Sequence, residues 1–192
     1  MKICVFGASS RDLARVYYDE AFALGAELAA RGHAIVFGGG SSGLMGAAAR
    51  GAKSRGGYLV GVAPRFFDEP GILYELCDEM IFTETMSERK KTMEDMSDAF
   101  VTLPGGIGTF EEFFEALTLK QLGRHAKPMA LLNTNGYYDA LEAMMQRAVD
   151  EEFLTGSGRA LYRIFTSPSA LADFVETSRE QPREVWKEKI LG

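Results

Sequence analysis

Short apolar runs recur along the chain and alternate with longer stretches in which apolar residues return at helical spacing. The short runs are rich in β-branched and aromatic residues, and this composition predicts buried β-strands. Strands are predicted at residues 2–6, 34–37, 58–63, 79–82, 99–103 and 129–132. The longer stretches predict amphipathic helices at residues 13–31, 44–55, 88–97, 109–122, 137–151 and about 169–178.

The alternation of strands with helices of this length predicts a parallel sheet covered on both faces, because parallel strands need crossover connections. We therefore expect an α/β fold, a Rossmann-like doubly wound parallel sheet in a single domain. No internal repeat or low-complexity linker divides the chain. We assign residues 1–178 to this domain and residues 179–192 to a charged C-terminal tail.

Charge and composition narrow the functional classes. With 46% hydrophobic and 25% charged residues, the chain of 192 residues has the make-up of an ordinary folded domain. The formal net charge of -6 provides no basic field for a polyanion, so we expect no nucleic-acid partner. No segment reads as a membrane span or a secretory signal, and the two cysteines lack CxxC spacing. We expect a cytoplasmic protein with no membrane partner.

The segments that follow the strands carry the functional signal, because ligands of parallel α/β sheets bind at the carboxyl ends of the strands. The segment 38–43, GGGSSG, matches GxGxxG between a predicted strand and a predicted helix, which suits phosphate binding. The acidic residue that a dinucleotide site needs after the next strand is absent, although Arg65 leaves a phosphorylated dinucleotide open. Alternatively, these glycines only let a sharp turn pack closely on the sheet.

A second glycine segment, PGGIGT at 104–109, follows the fifth predicted strand and precedes a strongly predicted helix. It has no lysine of the kind that a P-loop needs, which argues against hydrolysis of nucleoside triphosphates. Both glycine segments lie at one edge of the predicted sheet, and both suit an anion. We therefore expect a small phosphorylated ligand between them.

Two charged residues stand near the same edge. Glu112 follows Thr109 at a capping-box spacing, so one interpretation is that it only caps its own helix. However, the apolar stripe of that helix places its first turn at the crevice. Arg89 lies on the apolar face of the preceding predicted helix, and a buried guanidinium requires an anionic partner. That partner is either the ligand or a nearby acid such as Glu112.

The sequence gives little support to a metal site or to a nucleophilic serine. His33 and His125 have no His, Cys or carboxylate neighbours at ligand spacing, so we expect no metal site. No GxSxG elbow is present either.

Three segments together resemble the Lonely Guy (LOG) family. They are FGGGSSGLMG at 37–46, MSERK at 86–90 and PGGIGTFEE at 104–112. The resemblance runs in order from Val5 to about Leu154, and its most specific part is the PGGxGTxxE block with the RK pair upstream. Members of this family are cytokinin riboside 5'-monophosphate phosphoribohydrolases, often mislabelled as lysine decarboxylases.

The resemblance implies hydrolysis of the N-glycosidic bond of an adenosine 5'-monophosphate, N6-modified or plain, to the free base and ribose 5-phosphate. It implies that Arg89 and Glu112 are catalytic, that no metal or other cofactor is needed, and that the protein is a homodimer. With the first glycine segment included, the expected substrate-binding residues are Gly39, Gly40, Lys90, Gly106, Ile107, Gly108, Thr109 and Thr118.

One of the departures from the family concerns a whole segment, and rival functions remain. Residues 65–78 match poorly, so the acidic substrate contact expected there is either Glu69 or Glu75. The main alternative is a non-catalytic carrier of a phosphorylated ligand, similar to molybdenum cofactor carriers, which would not need both Arg89 and Glu112. An NADP-dependent reductase is weakened by the missing acid. Lysine decarboxylation is weaker still, because no lysine has the surroundings of a PLP Schiff base.

Overall fold

The computed structural model describes residues 1–178 and 184–187. Its described part contains one sheet of seven parallel strands in the order β4-β3-β2-β1-β5-β6-β7. The strands are β1 Lys2–Phe6, β2 Ala34–Phe37, β3 Leu59–Pro64, β4 Glu79–Thr83, β5 Ala99–Thr102, β6 Met129–Leu132 and β7 Arg163–Phe165. The predicted doubly wound, Rossmann-like α/β fold is confirmed.

Seven α-helices connect and follow the strands in this part of the chain. They are α1 Arg15–Ala30, α2 Gly43–Lys53, α3 Met86–Met96, α4 Ile107–Gln121, α5 Asp139–Asp150, α6 Gly156–Arg159 and α7 Pro168–Thr177. Six of them match predicted helices within two residues at each end. The short α6 and the edge strand β7 were not predicted.

Alternate residues of the strands feed two hydrophobic clusters, one on each face of the sheet. On one face, side chains such as Ile3 and Val5 pack with α1, α2 and α7. On the other face, Cys4 and Phe6 pack with α3, α4 and α5. Both faces of the sheet are therefore covered, which explains why its central strands read as continuous apolar runs.

Small residues let α1 and α2 lie very close together. A Cβ atom at Gly25 would lie 1.9 Å from the carbonyl oxygen of Ala48, and one at Gly51 would lie 2.0 Å from that of Phe22. Neither position has room for any side chain. This contact fixes α2 against α1 and so fixes the segment that enters α2 at the carboxyl edge of the sheet.

The strand order reverses between β1 and β5. From β1 the chain winds outward through β2, β3 and β4, and it then crosses back to place β5 on the other side of β1. The segments that leave β1 and β5 diverge at this point and open a crevice at the carboxyl ends of the strands, where ligands of doubly wound sheets bind. A hydrogen bond from Ala8 N to the carbonyl oxygen of Pro104, at 3.1 Å, joins the two segments.

The predicted C-terminal tail lies largely outside the described residues. Within its described part, residues 184–187, Val185 is buried in the cluster that contains α4 and α5. The division between domain and tail at residue 178 stays a prediction. None of the helices described is long and apolar enough to cross a membrane.

Candidate active site

A cavity of about 650 Å³ lies at the point where the strand order reverses. This volume is in the range of small-molecule sites. Its walls come from the segments after β1, β2, β3 and β5 and from the first turns of α3 and α4. The lining residues are Gly7, Ala8, Ser9, Ser10, Arg11, Gly38, Gly40, Ser42, Met45, Phe67, Ile72, Leu73, Met86, Arg89, Gly106, Ile107, Gly108, Thr109 and Glu112. The sequence prediction that these loops share one edge is confirmed.

Arg89 and Glu112 form a buried ion pair at this cavity. Arg89 Nη1 lies 2.9 Å from Glu112 Oε1, and their side chains are only 8% and 9% exposed. Arg89 also donates from Nε to the carbonyl oxygen of Val62 at 3.2 Å. The structure therefore brings together the two residues predicted to be catalytic, and it also shows the ion pair that was the alternative interpretation of Arg89.

A capping interaction positions Arg89. Thr85 is the N-cap of α3 and accepts a hydrogen bond from Glu88 N at 3.1 Å, while Glu88 Oε2 accepts one from Glu84 N at 2.9 Å. These two bonds fix the start of α3, as in a capping box, although the Glu88 carboxylate reaches the amide before the N-cap. Arg89 follows directly in the first turn, where it faces inward.

Glu112 is not a cap of its own helix. The helix α4 begins at Ile107 with Gly106 as N-cap, so Thr109 already lies inside the helix. The capping interpretation of Thr109 and Glu112 is wrong, because the helix starts two residues earlier than its apolar stripe suggested. Glu112 instead presents its carboxylate to Arg89.

Burial and the ion pair act on Glu112 in opposite directions. Burial raises the pKa of its carboxyl above the ordinary value, and the positive charge and hydrogen bond of Arg89 partly offset this rise. Burial also raises the pKa of the neighbouring Cys4 thiol, and the charge of Glu112 adds to that rise. The thiol is therefore neutral, and the cavity contains a carboxylate whose charge is balanced mainly by Arg89.

Gly38 makes room for Arg89. A Cβ atom at Gly38 would lie 2.1 Å from Arg89 Nη2, so any side chain there would displace the guanidinium. The first glycine of the GxGxxG segment thus serves a close contact between the backbone and a functional side chain.

The rest of the first glycine segment is used for packing. Leu44 N donates to the carbonyl oxygen of Ala8 at 2.8 Å, and Ser41 N donates to that of Ile72 at 2.9 Å. Gly43 has a φ of +61, and a Cβ atom there would lie 2.2 Å from the Ala8 oxygen. Amides at the start of α2 are therefore already bonded to protein. This arrangement favours the close-packing interpretation over a second phosphate cradle.

The second glycine segment has a different role. Gly106, Ile107, Gly108 and Thr109 all line the cavity at the start of α4. The first amides of a helix have no acceptor within the helix, and the helix dipole adds a partial positive charge there. Added Cβ atoms at Gly106 and Gly108 would meet no heavy atom within 4 Å. This helix N-terminus is thus open to the cavity and suited to an anion.

Not every predicted binding residue lines the cavity. Gly40 does, whereas Gly39, Lys90 and Thr118 do not. Lys90 forms ion pairs with Glu111 and with Glu115, the latter at 2.7 Å, and Thr118 is exposed and donates to the carbonyl oxygen of Phe114. A substrate role for these residues stays a prediction.

The candidate acids of the 65–78 segment do not line it either. Glu75 lines a separate, smaller cavity, and Glu69 lines neither of the two.

Sequence reasoning missed part of the cavity wall. Arg11 contributes a cation, and the apolar side consists of Met45, Phe67, Ile72, Leu73 and Met86. Three of these apolar residues follow β3 or belong to the segment after it, where no periodic pattern exists to place them. The available signal was the position of Arg11 just after the first strand.

Both histidines form hydrogen bonds within the protein. His33 Nε2 lies 2.8 Å from Glu176 Oε1, and His125 Nε2 lies 2.9 Å from the carbonyl oxygen of Ala116. Within residues 1–178 and 184–187, no group of three or more His, Cys, Asp or Glu side chains is arranged to hold a metal ion.

Comparisons with known proteins add a family. The family model described as "Possible lysine decarboxylase" matches residues 45–175. A probable cytokinin riboside 5'-monophosphate phosphoribohydrolase of Oryza sativa subsp. japonica is 45% identical over 161 residues, which cover 84% of this chain and 71% of that protein. A cytokinin riboside 5'-monophosphate phosphoribohydrolase of Arabidopsis thaliana is 41% identical over 169 residues, which cover 88% of this chain and 78% of that protein.

Solved structures share the fold. The molybdenum cofactor carrier protein of Chlamydomonas reinhardtii is 27% identical with a TM-score of 0.70, over 91% of this chain and 95% of that chain. A molybdenum cofactor binding protein of Rippkaea orientalis has a TM-score of 0.71 at 23% identity, over 92% of this chain and 95% of that chain. The latter likeness shows the fold alone.

Proposed function

This chain belongs to the Lonely Guy (LOG) family, and on that premise we propose that it hydrolyses a cytokinin riboside 5'-monophosphate in the cavity between β1 and β5. The protein is an N-glycosyl hydrolase of nucleoside 5'-monophosphates. The observation that carries this assignment is the buried Arg89–Glu112 pair beside an open helix N-terminus, in a chain 45% identical to a relative of that name.

The reaction exchanges one bond for another. The bond between ribose C1' and the base nitrogen breaks, and a bond between C1' and a water oxygen forms. One proton of the water ends on the departing base. Positive charge develops on the ribose as the base leaves, so a nearby carboxylate lowers the energy of the transition state.

Glu112 supplies this carboxylate. Its side chain is buried beside the cavity, where an ionic interaction is screened less than in water. It stabilises the developing positive charge and orients the attacking water. Arg89 favours the ionised form of Glu112, against the effect of burial, and holds one carboxylate oxygen in place at 2.9 Å. The second oxygen is then available to the ribose and the water.

The N-terminus of α4 holds the 5'-phosphate. Backbone amides of Ile107, Gly108 and Thr109 meet the phosphate there, and the helix dipole favours its negative charge. Binding the phosphate fixes the ribose relative to Glu112, which lies further along the same helix. Positioning of this kind removes part of the entropic barrier to reaction.

The apolar wall fits a base with an apolar substituent. Phe67, Ile72 and Met86 line the cavity, although each is 37% to 40% exposed. Burying such surface against an apolar group is favourable at about 25 cal/mol per Å². We therefore expect an N6-prenylated adenine to be preferred over plain adenine.

A carrier of a phosphorylated ligand is the second candidate, because the carrier protein of Chlamydomonas reinhardtii shares the fold. A carrier has no need of a buried carboxylate beside the sugar.

We propose further that the enzyme acts as a homodimer in the cytoplasm. The presence of Phe110, Phe114 and Leu122 on α4 or directly after it, none of them fully buried, supports a subunit contact there.

The test is release of free base. Purified protein is incubated separately with AMP, isopentenyladenosine 5'-monophosphate and unphosphorylated isopentenyladenosine, and the products are separated by chromatography. We expect base release from the monophosphates only, faster with the prenylated one. Release of no base, together with tight binding of a phosphorylated ligand, would move the assignment to a carrier.

A further inference from the structure

The charges that line the cavity do not balance a nucleotide. Its charged side chains are Arg11, Arg89 and Glu112, and the last two neutralise each other in a buried pair. A phosphate monoester brings a charge of about -1.5 to -2. The N-terminus of α4 offers the equivalent of roughly half a positive charge. Arg11 therefore remains as the cation that can balance the ligand.

The contacts of Arg11 leave most of its guanidinium available. Its Nε donates to Ser42 Oγ at 3.1 Å. Within residues 1–178 and 184–187, neither terminal nitrogen of Arg11 forms a hydrogen bond or an ion pair with a carboxylate. These two nitrogens form the planar fork that binds phosphate oxygens in pairs.

The backbone around Arg11 is fixed although its side chain is exposed. Tyr18 Oη on α1 donates to the carbonyl oxygens of Arg11 at 2.7 Å and of Ser10 at 3.2 Å. Ala8, in the same segment, accepts from Leu44 N and donates to Pro104. The last bond ties this segment to the one that leads into α4. Arg11 is thus held at the cavity by the loop whose neighbour carries the open amides.

We propose that Arg11 binds the 5'-phosphate of the substrate opposite the N-terminus of α4, with Ser42 holding its guanidinium. This inference rests on the proposed function and adds to it a substrate-binding residue outside the segments that define the family resemblance. Because the phosphate is remote from the bond that breaks, Arg11 contributes to binding of substrate and transition state alike. Its loss raises KM and leaves kcat nearly unchanged.

Arg11→Met tests the proposal, with Arg11→Lys and Arg15→Met beside it. Arg15 is a matched control, because it lies four residues further on, pairs with Asp19 and is absent from the cavity wall. We expect Arg11→Met to raise KM for the nucleoside monophosphate by about 10- to 100-fold, as for loss of a hydrogen bond to a charged group. We expect the KM of Arg11→Lys to lie between those of the wild type and Arg11→Met, because lysine keeps the charge but lacks the planar fork.

Calorimetric titration with ribose 5-phosphate separates this proposal from the proposed function. We expect Arg11→Met to weaken its binding by a similar factor and Arg15→Met to leave it unchanged. Equal binding by wild type and Arg11→Met, an equal loss in Arg15→Met, or no binding by wild type would overturn the role of Arg11. If wild type released no base but bound ribose 5-phosphate through Arg11, only the hydrolase assignment would fail.

Discussion

The two glycine segments, 38–43 and 104–109, look alike in sequence and do opposite things with their backbone. In the first, the amides of Ser41 and Leu44 are bonded to protein carbonyls, and the absence of side chains at Gly38 and Gly43 leaves room for neighbouring atoms. In the second, Gly105 makes room for the Thr109 side chain, whereas Gly106 and Gly108 face open space at the start of a long helix. The first segment shapes the site by making room for other parts of the protein, whereas the second presents backbone amides to a ligand.

This difference separates two reasons for a glycine. A glycine that accommodates a neighbour is required for folding or for the placement of another side chain. A glycine that faces a ligand is required for binding and is dispensable for stability. The motif GxGxxG cannot distinguish these cases, because both need the same residue.

The largest expected effect concerns Glu112, which lies on the helix that begins within the second glycine segment. Glu112→Gln keeps the shape of the side chain and removes its charge, so kcat should fall by about 10² to 10⁴-fold. Arg89 then loses its buried counter-charge, so thermal unfolding is measured in parallel to show that the domain remains folded. A folded variant with wild-type kcat would contradict the role of Glu112. Glu111→Gln is the matched control, since Glu111 is exposed and pairs with Lys90.

The next prediction compares substitutions at one glycine of each kind. Gly43→Ala forces a Cβ atom to 2.2 Å from the Ala8 oxygen at a positive φ, so it should cost about 3 kcal/mol of unfolding free energy. Gly108→Ala lies in the first turn of α4 with no atom within 4 Å and should be neutral or stabilise by up to about 1 kcal/mol.

Denaturant unfolding and KM, measured on both variants, complete this comparison. We expect Gly108→Ala to raise KM for the monophosphate, because its Cβ atom enters the space next to the phosphate. If instead Gly108→Ala unfolded as readily as Gly43→Ala, the distinction between accommodating and ligand-facing glycines would be wrong here.

The smallest effect is a shift in the titration of Glu112. The pKa of its carboxyl should lie above the ordinary value for a glutamate, because burial outweighs the influence of Arg89. Activity that needs the carboxylate is present above this pKa and is lost as the pH falls through it, which begins at a higher pH than for an exposed glutamate. The measurement is the carboxyl ¹³C shift of Glu112, assigned by its disappearance in Glu112→Gln. Arg89→Met should raise the pKa further; a fall would refute the ion-pair account.

Much of the fold was accessible from the sequence because its signals are local. Buried parallel strands such as β1 and β6 are continuous apolar runs, and their bounds were predicted without error. The edge strand β7 was missed because Arg163–Phe165 is three residues long and begins with an exposed arginine. A segment this short becomes a strand only through its pairing with β6.

The site was predictable where chemistry and spacing coincide. Arg89 and Glu112 could be singled out because a charged residue on the apolar face of a helix requires a partner or a function. Their mutual contact was one of two interpretations, since spacing along the chain does not give distances between helices. The occupied amides of Ser41 and Leu44 were beyond prediction, because their acceptors lie in distant segments. The same holds for the apolar wall contributed by Phe67 and Ile72.

The contact between Gly38 and Arg89 has a consequence for how such sequences diverge. With 2.1 Å between a hypothetical Cβ atom and Nη2, the two positions cannot vary independently. A lineage that acquires a side chain at position 38 must lose or displace the arginine, and a lineage that keeps the guanidinium in this place is confined to glycine. Substitutions at these two positions should therefore appear together on a phylogenetic tree, although one of the two residues has no functional group of its own.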